Sequence, residues 1–237
     1  MQTAARKREI DDKLITAQFT SDFVNELFRS LRTKIMLGLH ESPDNSLAVT
    51  SLDIGAGKST IAANIAITLA QNGTRTILVD GDMRRGVLHN SFVLPKSPGL
   101  SDFLVTREDV SWENVQSVVQ QTHVPNLLVI SSGKNVANAS ELLMTQRFRT
   151  MKEELAGHFE MIIMDFPPLG AVTDAVVVHE LFSRYLLVAR AGATNIPDLN
   201  AKIEEFPPVK KKLLGVVLNE AIVDRKMSYY KHSHYQY

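Results

Sequence analysis

Short apolar runs alternate along this chain with longer stretches of helical pattern. The runs are LAVTS (Leu47 to Ser51), TILVD (Thr76 to Asp80), LLVIS (Leu127 to Ser131), MIIMD (Met161 to Asp165), YLLVAR (Tyr185 to Arg190) and LLGVVLN (Leu213 to Asn219). Nearly every position in them is apolar, as in a strand covered on both faces. The separations of about 20 to 45 residues hold helix-like stretches such as KSTIAANIAITLAQNG, which fits crossover units rather than hairpins. The pattern predicts an α/β fold: a doubly wound, mostly parallel sheet flanked by helices.

Before the first run, Phe23, Leu27, Leu31 and Ile35 recur every four residues, with Glu26, Arg29 and Arg32 on another part of the same surface. This predicts an amphipathic helix over about 21–39, packed outside the sheet. The three charged residues alone read as an ion-paired solvated face. The expected organisation is an N-terminal extension (1–20), one folded domain (21–223) and a flexible tail (224–237). In that tail, YYKHSHYQY holds four of the chain's five tyrosines: Tyr229, Tyr230, Tyr235 and Tyr237. Lys210 to Lys212 read as an exposed turn.

Composition narrows the possibilities. Basic and acidic residues balance at 26 each, so no overall field draws the chain to nucleic acid, and none is expected as a partner. Cysteine is absent, which excludes disulfides, thiolate metal sites and cysteine nucleophiles and suits a reducing cytoplasm. No run approaches the roughly 18 apolar residues of a membrane span.

SLDIGAGKST (Ser51 to Thr60) lies between a predicted strand and a predicted helix, the context a phosphate loop requires. Gly55 and Gly57 let the backbone aim N–H groups at an anion, and the helix N-terminus adds its dipole. Lys58 reaches the β and γ phosphates, and Ser59 offers a hydroxyl to Mg²⁺. The usual pattern has glycine where this chain has Leu52. Two strand ends add acids: Asp80 and Asp82 in ILVDGDMRR, and Asp165 in IIMDFPP. One such residue alone reads equally as a helix cap; three at the carboxyl ends of parallel strands converge on the ligand crevice of an open α/β sheet.

GAGKST, ILVDGDMRR, MIIMDFPP and YYKHSHYQY, in this order and spacing, resemble the Walker A, Walker A′, Walker B and tyrosine-cluster motifs of the bacterial tyrosine kinases of capsule and exopolysaccharide synthesis. These belong with the MinD/ParA-like P-loop NTPases. The resemblance implies an ATP- and Mg²⁺-dependent protein-tyrosine kinase that autophosphorylates its tyrosine cluster in trans within a ring-shaped homo-oligomer. Gly55, Ala56, Gly57, Lys58, Ser59, Thr60 and Asn219 are then the expected ATP-binding residues, although Asn219 reads equally well as a helix cap. Lys58, Asp80, Asp82 and Asp165 are the expected catalytic residues, with Ser59 and the three acids on the metal and Asp80 weighted toward base or metal support. Glu26, Arg29 and Arg32 match the family's E-x-x-R-x-x-R oligomerisation motif.

The implied partners are a transmembrane activator that recruits a cytoplasmic kinase to the inner face of the plasma membrane, and a cognate tyrosine phosphatase. Phe166 departs from the pattern, an apolar ring where threonine or serine follows the Walker B acid; a hydroxyl lost near the metal would slow turnover. Two other functions remain open on the residues: a MinD/ParA-like ATPase switch, disfavoured because Asp53 stands where those proteins carry a signature lysine, and a non-catalytic nucleotide-binding scaffold.

Overall fold

The computed structural model describes residues 14, 22–40, 42 and 44–222. Seven strands form one sheet: β1 (Ser46–Ser51), β2 (Thr76–Asp80), β3 (Gln120–Gln121), β4 (Leu127–Ile130), β5 (Met161–Asp165), β6 (Arg184–Arg190) and β7 (Leu213–Asn219). Their order is β3-β4-β2-β5-β1-β6-β7, and every pairing is parallel except β3 with β4. The six predicted strands are all present, but β7 is not covered on both faces as expected: it ends the sheet, and its Val216 and Leu218 are exposed. β3 is the addition, two glutamines with no apolar pattern to announce them.

Alternate side chains of each central strand feed two cores. Ala48, Ile77, Val79, Ile162, Met164, Tyr185 and Leu187 point to one, Leu47, Val49, Leu78, Ile163, Leu186 and Val188 to the other. The first core is covered by α4 (Leu100–Val105), α5 (Trp112–Gln116), α6 (Ala139–Leu143), α7 (Gln146–His158), α8 (Asp174–Val177), α9 (Ile196–Glu204) and α10 (Pro207–Lys211). The second is covered by α1 (Asp22–Leu39), α2 (Lys58–Gln71) and α3 (Leu88–Ser91). Everything from Ile61 to Ala70 in α2 is buried, because this helix lies between the sheet and α1.

The buried face of α1 differs from the one expected. Phe28, Ile35 and Leu39 are buried with Asn25, Leu31 is half-buried, and Phe23 and Leu27 are exposed. A four-residue step overshoots one helical turn by about 40°, so a stripe of such steps winds off the contact face. Leu14, in the expected N-terminal extension, is buried in the same core as α1. Lys212 does not join an exposed turn. Its ammonium donates to the carbonyls of His179 and Phe182 at 2.8 Å each. The tyrosine cluster lies outside the described residues. Among the described residues no helix is long and apolar enough to cross a membrane.

Candidate active site

β1 ends at Ser51, and the chain turns through residues 52–57 into α2. Gly55 and Gly57 have φ of 80° and 86°, a left-handed region that penalises any residue with a Cβ. A Cβ on Gly57 would also strike the Asn219 amide, which donates to the Ala56 carbonyl at 3.0 Å. Leu52 has no positive φ; its carbonyl accepts from the Gly170 N–H at 3.1 Å, so the glycine of the usual pattern is not needed there.

β2 and β5 lie side by side with Asp80 opposite Asp165, which brings the two acidic strand ends together. Lys58, the first residue of α2, points into them. Its Nζ is 3.4 Å from both Asp165 oxygens, 3.6 Å from Asp82 Oδ2 and 3.2 Å from the Ser59 hydroxyl. Burial pushes the Lys58 ammonium down, but Asp165, Asp82 and Asp80 outweigh it and hold its pKa above the ordinary value. Asp80 is fully buried, accepting from the Asp82 N–H at 3.3 Å and the Leu88 N–H at 3.1 Å. Burial first, then the charge of Asp165, raises its pKa to about 8. Burial likewise raises Asp165, against the pull of Lys58 and Ser59.

A cleft of about 730 Å³ opens above this cluster. Gly55, Gly57, Lys58, Ser59, Thr60 and Asn219 line it, together with Asp82. Ala56 does not: it is buried, its carbonyl turned to Asn219. Asp80 and Asp165 lie in the floor beneath, so the three acids converge but only Asp82 reaches the cleft wall. Asn219 ends β7 against the loop and caps no helix. Glu26 and Arg29 form an exposed 3.3 Å pair on α1, and Arg32 reaches the Thr68 carbonyl at 3.4 Å; none of the three lines the cleft.

Phe166 is turned away from the site. Its ring is fully buried in the first core, edge-on to Phe182 with centroids 5.4 Å apart, and no hydroxyl position beside the cleft is lost to it. The strand alternation explains this: Asp165 faces one way and its neighbour the other.

Several lining residues had no signature of their own in the sequence. Arg84 and Arg85 stand in the cleft wall; the Arg85 N–H donates to Asp82 at 2.9 Å, and the Arg84 guanidinium pairs with the fully buried Asp174, which also accepts from Ser140 at 2.5 Å. Val87, Pro168 and Val172 add an apolar stretch. The two arginines are the last residues of the second acidic motif, ILVDGDMRR, the one signal that pointed to them.

The donors fit a magnesium–nucleotide complex. Helix N–H groups and a lysine suit phosphates, and the Ser59 hydroxyl with carboxylate oxygens forms an oxygen-only set for a hard cation. Among the described residues no three acidic or histidine side chains form a preassembled metal cage.

Residues 45–190 match the model of an AAA-domain family. CapB of Staphylococcus aureus is 34% identical over 95% of this chain and 97% of its own length, and tyrosine-protein kinase CpsD of Streptococcus agalactiae is 32% identical over 89% and 87%. Among solved structures, the chimerical protein CapA2B2 superposes with a TM-score of 0.81 at 35% identity, covering 90% of this chain and 91% of that one. The kinase domain of Escherichia coli tyrosine kinase ETK gives 0.84 at 29% identity, covering 94% and 85%. Longer curated relatives also match, and the chain spans 28% and 31% of two of them.

Proposed function

The chain belongs to the bacterial tyrosine-protein kinase family, and on that premise we propose that it transfers the γ-phosphoryl group of ATP to the tyrosines of its own C-terminal cluster, Tyr229, Tyr230, Tyr235 and Tyr237. The observation that carries the reading is the Lys58 ammonium seated among Asp82, Asp165 and Ser59 at the base of a cleft opening on the N-terminus of α2.

Lys58 exchanges its carboxylate partners for the phosphates and neutralises charge as the γ-phosphoryl leaves ADP. Ser59, Asp82 and Asp165 hold Mg²⁺ or its waters, and the metal supplies Lewis-acid neutralisation of the phosphates. The phenol oxygen forms the new bond to phosphorus as the β,γ-bridging bond breaks. We assign its proton to Asp82, the carboxylate that reaches the cleft, and give Asp80 a supporting role, since both its oxygens take backbone N–H groups of the segment that carries Asp82.

The wider reading follows the family. The chain acts in capsular or exopolysaccharide synthesis, assembles into a ring through Glu26, Arg29 and Arg32, takes its acceptor in trans, is recruited to the inner membrane face by a transmembrane activator and is reset by a tyrosine phosphatase. Asp53, exposed beside the loop, disfavours a MinD-like switch, which needs a cation there. One observation favours acceptance in cis: Asn219 and Glu220 line the cleft, so the chain passes its own cleft rim shortly before the tyrosine cluster. Dilution separates the two, because a cis rate is independent of protein concentration and a trans rate is not. Phosphotyrosine formed with Mg-ATP, alone or with the activator's cytoplasmic segment, is the expected result; none under either condition would overturn the kinase reading.

A further inference from the structure

Two aliphatic side chains stand in the wall of the cleft without a packing role. Ile54 is 70% exposed and Val87 45% exposed, and neither belongs to either core. Both line the cleft, and Pro168 and Val172 extend the same apolar surface. Exposed aliphatics are common singly, but these flank a cluster of buried charges, where a polar residue would lose nothing.

Their backbones are also fixed. Val87 lies between the Arg85 N–H, held by Asp82 at 2.9 Å, and the Leu88 N–H, held by Asp80 at 3.1 Å. Ile54 follows Asp53, whose carbonyl accepts from the Ser51 hydroxyl at 2.8 Å, and precedes Gly55 in the phosphate loop. Apolar surface is therefore presented at set positions, with little ordering cost left for a ligand to meet.

We propose that Ile54 and Val87 form a clamp at the mouth of the cleft that takes the phenol rings of the segment Tyr229–Tyr237 and selects tyrosine over serine and threonine. The inference rests on the kinase reading above and names the acceptor subsite of that cleft. Depth makes the selection. Asp82, the carboxylate assigned the proton, is nearly buried in the same cleft that Ile54 and Val87 line, and a tyrosine hydroxyl stands several ångströms farther from its Cα than a serine hydroxyl. Only the aromatic residue reaches Asp82 while its ring covers the lips.

The occupant follows from the chain itself. Nine residues separate Asn219, in the cleft wall, from Tyr229, a reach of roughly 30 Å when extended, so each copy tethers this segment beside such a cleft. Four aromatic rings in nine residues match an apolar lip, and Lys231 matches the exposed Asp53 next to Ile54.

The test uses the full chain, its Ile54→Ala and Val87→Ala variants, and a synthetic peptide of residues 226–237 as acceptor. Each substitution should raise the peptide KM about tenfold, the discrimination a few methylenes supply in an apolar site, with kcat and the ATP KM changed much less. The same peptide with all four tyrosines replaced by phenylalanine should inhibit the unsubstituted chain competitively and each variant about tenfold more weakly. A peptide KM unchanged in both variants overturns the clamp, as does an equal rise in the peptide and ATP constants. If the unsubstituted chain transfers nothing to the tyrosine peptide, the kinase reading falls and the clamp with it.

Discussion

Each end of the sheet buries a lysine against a carboxylate, and the two lysines differ. At the carboxyl ends of the strands Lys58 faces Asp80, Asp82 and Asp165, and its pKa is raised. At the amino ends Lys152 of α7 pairs with Asp44 alone, while Asp44 also accepts from the hydroxyls of Ser46 and, at 2.7 Å, Ser183. Burial, with the charge of Lys212, pushes Lys152 below its ordinary value, and Glu153 offsets this in part. One carboxylate balanced by one ammonium and two hydroxyls ties the start of β1 to α7 and the start of β6. Asp82 and Asp165, with a protonated Asp80 beside them, around one ammonium leave an excess of negative charge, which a divalent cation can satisfy. Buried charge left unbalanced marks chemistry; buried charge in balance marks structure.

The largest effect expected is at the unbalanced end. Lys58→Met should lower phosphotyrosine formation by about 10² to 10³, the usual loss of one preorganised charge at a transferring group. Its counterpart Lys152→Met should leave the transfer rate of the folded protein near that of the unsubstituted chain. It should lower unfolding free energy by about 2 kcal/mol in urea titration, because the half-buried Asp44 loses its ammonium partner. A slower transfer without loss of stability would break the distinction between the two ends. Phe166→Thr sharpens it within one strand end. The hydroxyl typical of the family should bring no gain in rate, while the cavity beside Phe182 costs about 3 kcal/mol, read by the same titration.

A further effect is in pH dependence. Asp80 keeps its proton to about pH 8 when folded, far above the ordinary carboxylate value of 3.8. Between those values the folded chain binds the extra proton, so stability without nucleotide falls as pH rises through that window. Thermal melts from pH 5 to 8 should show this decline, and Asp80→Asn should flatten it.

Much of this was legible in the chain. Five of the six apolar runs are strands covered on both faces, as their pattern said, while LLGVVLN reads the same but lies at the sheet edge with Val216 and Leu218 exposed; the glycines before Lys58 demanded a turn that a side chain would block. Which face of α1 is buried was not legible, because it depends on how the helix crosses α2. Leu52 and Phe166 looked like departures at the site; a carbonyl and a strand alternation, both tertiary facts, make them neutral to it. Asp174 and Ser140 carry no local signal, since their tie to Arg84 joins segments more than 50 residues apart. The balanced pair Asp44–Lys152 spans 108 positions and is equally silent in sequence.

The most direct test is phosphopeptide mass spectrometry of residues 226–237 after incubation with Mg-ATP, on the unsubstituted chain and Lys58→Met in parallel. Phosphate on the clustered tyrosines Tyr229, Tyr230, Tyr235 and Tyr237 in the first, and its near absence in the second, is the predicted result. A segment that stays unmodified in the unsubstituted chain, or is modified equally in both, would contradict the assignment of the Lys58 cleft as the site of transfer.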